Sequence, residues 1–196
     1  MTTDAILALI IGYFLGAIPF GLLLTRLAGK GDLRSIGSGN IGATNVLRTG
    51  SKGLAVATLM LDALKGALAV WVAEEYLPYS VLFAAAGALI GHLYPVWLRF
   101  RGGKGVATFL GVLAMLFPVG AMVYALVWLL GLLAVRISSV AGMAAAVSAP
   151  ITAAVIGNRE ILSALFAFAL LIVWKHRENI ARLRAGTEPR LGKRKT

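Results

Sequence analysis

Cysteine is absent from the 196 residues, which excludes disulfides, thiolate nucleophiles and zinc-thiolate centres. Acidic residues are scarce, with eight Asp and Glu against nineteen Lys and Arg for a formal charge of +11. The chain has only two histidines, His92 and His176, and with so few carboxylates it offers zinc or magnesium little to bind, so no metal site is expected. Charged residues make up 14% of the chain, too few to solvate a globular surface, which carries about 25% in a soluble domain. A soluble enzyme, a disordered chain and a nucleic-acid-binding module are all excluded on that ground. What the chain has instead is 59% apolar residues. A transmembrane helix takes ~20 residues, so the expectation is one all-α integral membrane domain over residues 1–196. The first apolar run starts beside Asp4 with no basic segment before it, and reads as a mature helix rather than a signal peptide.

Uncharged runs fall at 5–25, 76–98, 105–135, 137–158 and 161–174, and the run 53–73 is interrupted only by Asp62 and Lys65. As a single helix, 105–135 would be ~46 Å long against a hydrocarbon core of ~30 Å. Pro118 sits near its middle, so two shorter helices with a turn at 117–120 are the alternative. Charge decides between six and seven spans. With seven, 17 basic residues face the cytoplasm and Arg159 alone faces out; with six, the division is 9 against 9 and the positive-inside bias vanishes. Seven transmembrane helices follow, N-terminus outside and C-terminus cytoplasmic. The runs 105–116 and 161–174 are short, ~18 and ~21 Å as helices, and must be extended by flanking residues. An irregular loop at membrane depth is tolerated only in a protein-lined cavity. Gly66, Gly87, Gly111, Gly131 and Gly142 predict close helix packing. Residues 191–196 read as a disordered basic tail drawn to anionic lipid.

Three polar segments, 34–48, 91–105 and 175–190, all fall on the cytoplasmic face of that topology. Gly37, Gly39 and Gly42 have the spacing of a dinucleotide fingerprint. A membrane helix precedes them instead of a strand, however, and the acidic residue some twenty positions on is Asp62 inside the next span, so that reading fails. What survives is a run of backbone N–H groups able to wrap an anion. Ser38, Asn40, Thr44 and Asn45 add neutral hydrogen-bonding groups, and Arg48 adds a forked cation suited to phosphate. The stretch Gly102, Gly103, Lys104, Gly105 is not a nucleotide P-loop, since Leu98 stands where the first glycine belongs and Gly105 where Ser or Thr belongs. A lysine between glycines at a helix start is still an anion site, combining a cation, free N–H groups and the positive helix end. His176 and Asn179, three apart, share a helix face. Ser138 and Ser139 form a further polar spot. Asp62 and Lys65 read as a mutually neutralising structural pair facing the bundle. His92 is left open between structural hydrogen-bonder and catalyst.

These segments resemble the bacterial membrane glycerol-3-phosphate acyltransferases of the PlsY type. The matching stretches are GSGNIGATNVLR at 37–48, His92 to Pro95 with GGKG at 102–105, HREN at 176–179 with GTEPR at 186–190, and LDALKG at 61–66 in the second span. The resemblance runs nearly end to end. It implies transfer of an acyl group from acyl phosphate to the 1-hydroxyl of sn-glycerol 3-phosphate, giving 1-acyl-sn-glycerol 3-phosphate and phosphate, the first acylation of phospholipid synthesis. It implies a multi-pass enzyme of the bacterial inner membrane with its active site on the cytoplasmic side, and no nucleotide, coenzyme A or other cofactor. Carried over residue by residue, Gly37, Ser38, Gly39 and Asn40 hold the donor phosphate, and Gly42, Thr44, Asn45, Gly102 and Gly103 belong to the same binding loops. Arg48, Lys104, His176 and Asn179 bind the acceptor and neutralise the transferring charge, and Ser139 lines the site. The expected partners are acyl phosphate, glycerol 3-phosphate and membrane lipid, with no nucleic acid; a monomer suffices, and oligomeric state is not legible. The rival reading is a transporter or channel for a small organophosphate. Against it, the polar residues gather at one face and no paired broken helices suggest inverted repeats.

Overall fold

The computed structural model describes residues 3–192, among which there are helices, turns and loops but no strand. Residues 193–196, most of the expected basic tail, lie outside the described residues. The chain forms two compact units, Met1–Leu116 and Phe117–Thr196.

The first unit contains α1 (Thr3–Gly16), α2 (Phe20–Leu27), α3 (Ala43–Leu47), α4 (Lys52–Tyr76), α5 (Val81–Leu93) and α6 (Val106–Leu116). The run 5–25, read from sequence as one uninterrupted helix, breaks between α1 and α2 because Pro19 has no N–H for the helical ladder. Two carbonyls at the break find side-chain donors from elsewhere in the unit. Trp97 Nε1 donates to the Ala17 carbonyl at 2.8 Å, and Lys65 Nζ donates to the Ile18 carbonyl at 2.7 Å.

Helix α4 is built inside out, as a membrane helix should be. Val56, Met60, Leu64 and Leu68, each four residues from the last, are exposed along one side, while Thr58, Asp62, Lys65, Gly66 and Ala69 are buried. Glycine sets the helix spacing. A Cβ on Gly12, Gly16, Gly87 or Gly91 would collide with backbone across the α1–α5 contact, and one on Gly66 or Gly111 would do so between α4 and α6. The close packing expected at Gly66, Gly87 and Gly111 is therefore present, whereas Gly131 makes only ordinary van der Waals contact with Ala141.

The second unit contains α7 (Pro118–Val135), α8 (Ser138–Ile156), α9 (Arg159–Lys175) and α10 (Arg177–Arg184). The ambiguous run 105–135 is thus divided at Phe117, with Pro118 in the first turn of α7, where its missing N–H costs nothing. Arg136, with φ of 57°, turns the chain between α7 and α8, and Gly157, with φ of 80°, ends α8 in the left-handed cap that glycine adopts without strain. Helix α9 extends past the uncharged run 161–174 at both ends, as its short length required.

Among the described residues, five segments are long and apolar enough to cross a membrane: Thr3–Leu27, Lys52–Tyr76, Pro78–Leu98, Pro118–Val135 and Ser138–Ile156. Helices α6 and α9, with 11 and 17 residues, are shorter. This is a membrane protein.

Candidate active site

In the first unit, the glycine-rich segment is organised by Asn45. Its side chain is buried, and its Nδ2 donates to the carbonyls of Leu33 and Ile36, both at 2.9 Å. Its Oδ1 accepts from the Ser38 backbone N–H at 3.2 Å and from Arg48 Nη1 at 3.3 Å. Asn45 is therefore the internal strut of the loop, with both ends of its amide engaged. Asn40 Oδ1 accepts from the Gly42 N–H at 2.9 Å, shaping the turn into α3. Gly37 and Gly39 have φ of 58° and 67°, and a Cβ on Gly37 would press on the Arg48 side chain and Asn45 Oδ1. The loop's entry is fixed by Asp32. Its carboxylate accepts from the Arg34 side chain and backbone N–H, which hold it well below the usual carboxylate range. Ser38, Gly37, Gly39 and Arg48 lie exposed around this frame, and Thr44 is half-buried in α3.

The second segment begins at the end of α5. Gly102 N–H donates to the Leu93 carbonyl at 3.2 Å and Gly103 N–H to the His92 carbonyl at 3.0 Å. The N–H groups expected to be free for an anion thus close the C-terminus of α5. The contribution of these glycines is the missing side chain, since a Cβ on Gly103 would run into the His92 ring. Between them and Pro95, Arg99 and Phe100 both adopt left-handed backbone, with φ of 52° and 61°. Two such residues in succession are strained, and strain of this kind persists only where surrounding contacts dictate it. Lys104, half-buried, follows directly, just before α6. Beneath the loop, Lys65 Nζ lies 2.7 Å from Asp62 Oδ1, both side chains being almost fully buried, and His92 Nδ1 is 3.8 Å from the same oxygen.

In the second unit, the centre is Glu188. Oε1 accepts from Ser139 Oγ at 2.7 Å and from Asn179 Nδ2 at 2.6 Å, while Oε2 accepts from Arg182 Nε at 2.7 Å. Burial pushes the Glu188 carboxyl up, but the hydrogen bonds from Asn179, Ser139 and Arg182 outweigh it and leave the group below the usual range. The other face of the Asn179 amide, Oδ1, is buried with no hydrogen-bond partner among the described residues, an arrangement that asks for a functional reason. His176 Nδ1 is 2.8 Å from the Ile172 carbonyl one turn back, so the ring donates from Nδ1 and, when neutral, carries its lone pair on Nε2.

Each segment picked out by sequence thus holds together locally. Ser38 and Arg48 share the Asn45 Oδ1 acceptor, Gly102 and Gly103 close on the end of α5 at His92 and Leu93 ahead of Lys104, and Ser139 and Asn179 share Glu188 Oε1. Sequence reasoning gave Glu188 no role. The available signal was that it is the one carboxylate between Arg182, Arg184 and Arg190.

Apolar helices, inward-facing polar groups and clusters of cations and hydrogen-bond donors define an integral membrane protein built to handle anionic substrates. The chain belongs to the glycerol-3-phosphate acyltransferase family, whose model matches residues 6–186. It is 58% identical to the glycerol-3-phosphate acyltransferase of Bradyrhizobium sp. over 96% of each chain. Identity to that of Mesorhizobium japonicum is 55%, over 98% of each. Among solved structures, it is similar to PlsY, an integral membrane glycerol 3-phosphate acyltransferase, in its glycerol 3-phosphate form. There the TM-score is 0.90 and the identity 40%, with 96% of each chain covered. The lysophosphatidic acid form of PlsY matches with a TM-score of 0.88 and 39% identity.

Proposed function

We propose that this acyltransferase takes its acyl group from acyl phosphate and transfers it directly to the 1-hydroxyl of sn-glycerol 3-phosphate, releasing 1-acyl-sn-glycerol 3-phosphate and inorganic phosphate. The observation that carries this reading is the similarity over 96% of the chain to PlsY in forms with glycerol 3-phosphate and with lysophosphatidic acid, an acceptor and its acylated product. The donor assignment is supported by the match of the three sequence segments to the acyl-phosphate-using type. The mixed anhydride is already activated, so the protein has only to hold two phosphate-bearing substrates and stabilise charge as the carbonyl is attacked.

In this reading the loop of Gly37, Ser38, Gly39 and Asn40, with Gly42, Thr44 and its strut Asn45, receives the donor phosphate. Arg48, Lys104, His176 and Asn179 bind the acceptor and offset the developing charge, and Ser139 lines the site. Gly102 and Gly103 shape the approach to Lys104. The glycerol hydroxyl attacks the acyl carbonyl carbon, the bond from that carbon to the bridging phosphate oxygen breaks, and the proton passes to the departing phosphate or to His176. No acyl-enzyme forms. A role for Asn179 Oδ1 in accepting from a hydroxyl of the acceptor is supported by its having no hydrogen-bond partner among the described residues.

The chain acts as one polytopic enzyme in the inner membrane of a bacterium. It crosses the bilayer seven times with α6 and α9 as its short spans, N-terminus outside and the polar segments on the cytoplasmic side. The 17-to-1 distribution of basic residues and the division of the run 105–135 at Phe117 support this topology.

The test is phosphate release by purified protein in lipid, given palmitoyl phosphate with and without glycerol 3-phosphate and without nucleotide, metal or coenzyme A. Release that depends on the acceptor, with lysophosphatidate formed in equal amount, is the expected result. Activity only with acyl-coenzyme A overturns the donor assignment. Uptake of glycerol 3-phosphate into vesicles without acylation revives the transporter.

A further inference from the structure

Lys65 and Asp62 sit in the interior of α4, where charge is costly and is retained for a reason. The contacts of this pair reach beyond mutual neutralisation. Lys65 Nζ donates to the Ile18 carbonyl at 2.7 Å, at the break that Pro19 makes in the first helix, and lies 5.7 Å from the centre of the Phe20 ring. Asp62 Oδ1 lies 3.8 Å from His92 Nδ1. The opposite edge of the same imidazole, Nε2, is the surface against which Gly103 is packed, and the His92 carbonyl receives the Gly103 N–H.

The segment between Pro95 and Gly102 is anchored to the same break in the first helix. Trp97 donates to the Ala17 carbonyl at 2.8 Å, and Tyr13 Oη, one turn earlier, donates to the Tyr94 carbonyl at 2.8 Å. The break in the first helix, the ion pair and the strained loop therefore form one connected frame, and Lys104 is the residue that emerges from it. Neutralisation alone requires none of these contacts.

We infer that Asp62, Lys65 and His92 are positioning residues for Lys104: the ion pair locks the interrupted first helix to α4 and seats the His92 ring, and that ring sets where the chain places Lys104. This rests on the reading that Lys104 acts on the substrates. The pair itself touches neither substrate; its effect is transmitted through the ring and the two glycines.

The test compares kcat/KM for glycerol 3-phosphate in full-length enzyme in lipid on two backgrounds, Lys104 and Lys104→Ala. Removing one charge of a buried pair strands the other, whereas replacing both with apolar groups of similar volume preserves folding. The pair is therefore removed together as Asp62→Leu with Lys65→Met, and His92→Gln serves as a second variant that leaves the pair intact; thermal unfolding confirms that each is folded. On the Lys104 background each change is expected to lower kcat/KM at least tenfold. On the Lys104→Ala background each is expected to change it less than twofold, because there is no lysine left to misplace. A merely structural role lowers both backgrounds equally, and that result, or full activity of the folded variants on the Lys104 background, overturns the inference. Full activity of Lys104→Ala alone overturns instead the reading of Lys104 on which the inference rests.

Discussion

Ser139 Oγ donates to Glu188 Oε1 at 2.7 Å, joining the first turn of α8 to the chain that follows α10. The bond spans 49 positions of sequence and is reinforced nearby by Leu191 N–H, which donates to the Arg136 carbonyl at 2.7 Å. Together they hold the end of the described chain against the turn between α7 and α8.

Glu188→Ala removes an acceptor used by Ser139, Asn179 and Arg182 at once. Hydrogen bonds to charged groups are worth ~1.5–3 kcal/mol each, so a loss of at least ~2 kcal/mol in stability is expected, with a fall in activity as Asn179 loses its orientation. Thermal unfolding in detergent, run beside a turnover assay, checks both. Arg190→Ala, at an exposed position of the same stretch, is the control and should unfold with the wild type.

The same carboxylate makes stability depend on pH with a defined sign. Its folded value lies below the ordinary 4.5, so its contribution is complete above about pH 4.5 and is lost as pH falls through the lower folded value. Glu188→Gln lacks that contribution at every pH. The gap in unfolding temperature between wild type and Glu188→Gln should therefore be constant near neutrality and narrow as pH falls below about 4.5. A gap that widens on acidification contradicts this assignment.

Gly103→Ala pushes a methyl group into the His92 ring, and Gly102→Ala meets the His92 carbonyl and Pro95. Overpacking of this kind costs ~1–3 kcal/mol, and here the strain falls on the residues just before Lys104. A rise in KM for glycerol 3-phosphate of about tenfold or more is expected in protein that remains folded, read from initial rates at varied acceptor.

Asn45→Leu preserves bulk but strands the Leu33 and Ile36 carbonyls and removes the acceptor of the Ser38 N–H and Arg48 Nη1. A loss of about 2 kcal/mol or more is expected for the unpaired groups, together with faster proteolysis within 36–42. Asn45→Asp should be as damaging, because a carboxylate has no N–H to give those carbonyls.

Lys104→Ala and Ser38→Ala each remove a group assigned to charge on the substrates. Losses of about a hundredfold or more in turnover are expected, at ~3–4 kcal/mol per preorganised donor. Unchanged turnover in correctly inserted variants would remove both residues from the site.

Composition alone made this a membrane protein. An apolar fraction of 59% and a basic excess gathered, Lys65 apart, between the apolar runs follow directly from how water, lipid and positive charge partition. The three polar segments were legible too, because hydrogen-bonding residues crowded between apolar runs are costly unless they are used. Pro118 marked a possible division of 105–135, yet choosing between one helix and two took the observed turn at Phe117.

Tertiary structure decided what sequence periodicity does not encode, namely which partner satisfies each polar atom. The Asn45 amide, a hydrogen-bonding group by sequence, has both ends engaged within its own loop, and the N–H groups of Gly102 and Gly103 close α5. Only the fold brings three donors from α8 and α10 onto the Glu188 carboxylate. The break at Pro19 became meaningful only when Lys65 and Trp97, distant in sequence, were found on the carbonyls beside it. Hydropathy and charge act through solvent and are additive along the chain, so one strand of letters reveals them. Hydrogen-bond partnership depends on angles and distances between segments dozens of residues apart, and only the folded chain fixes those.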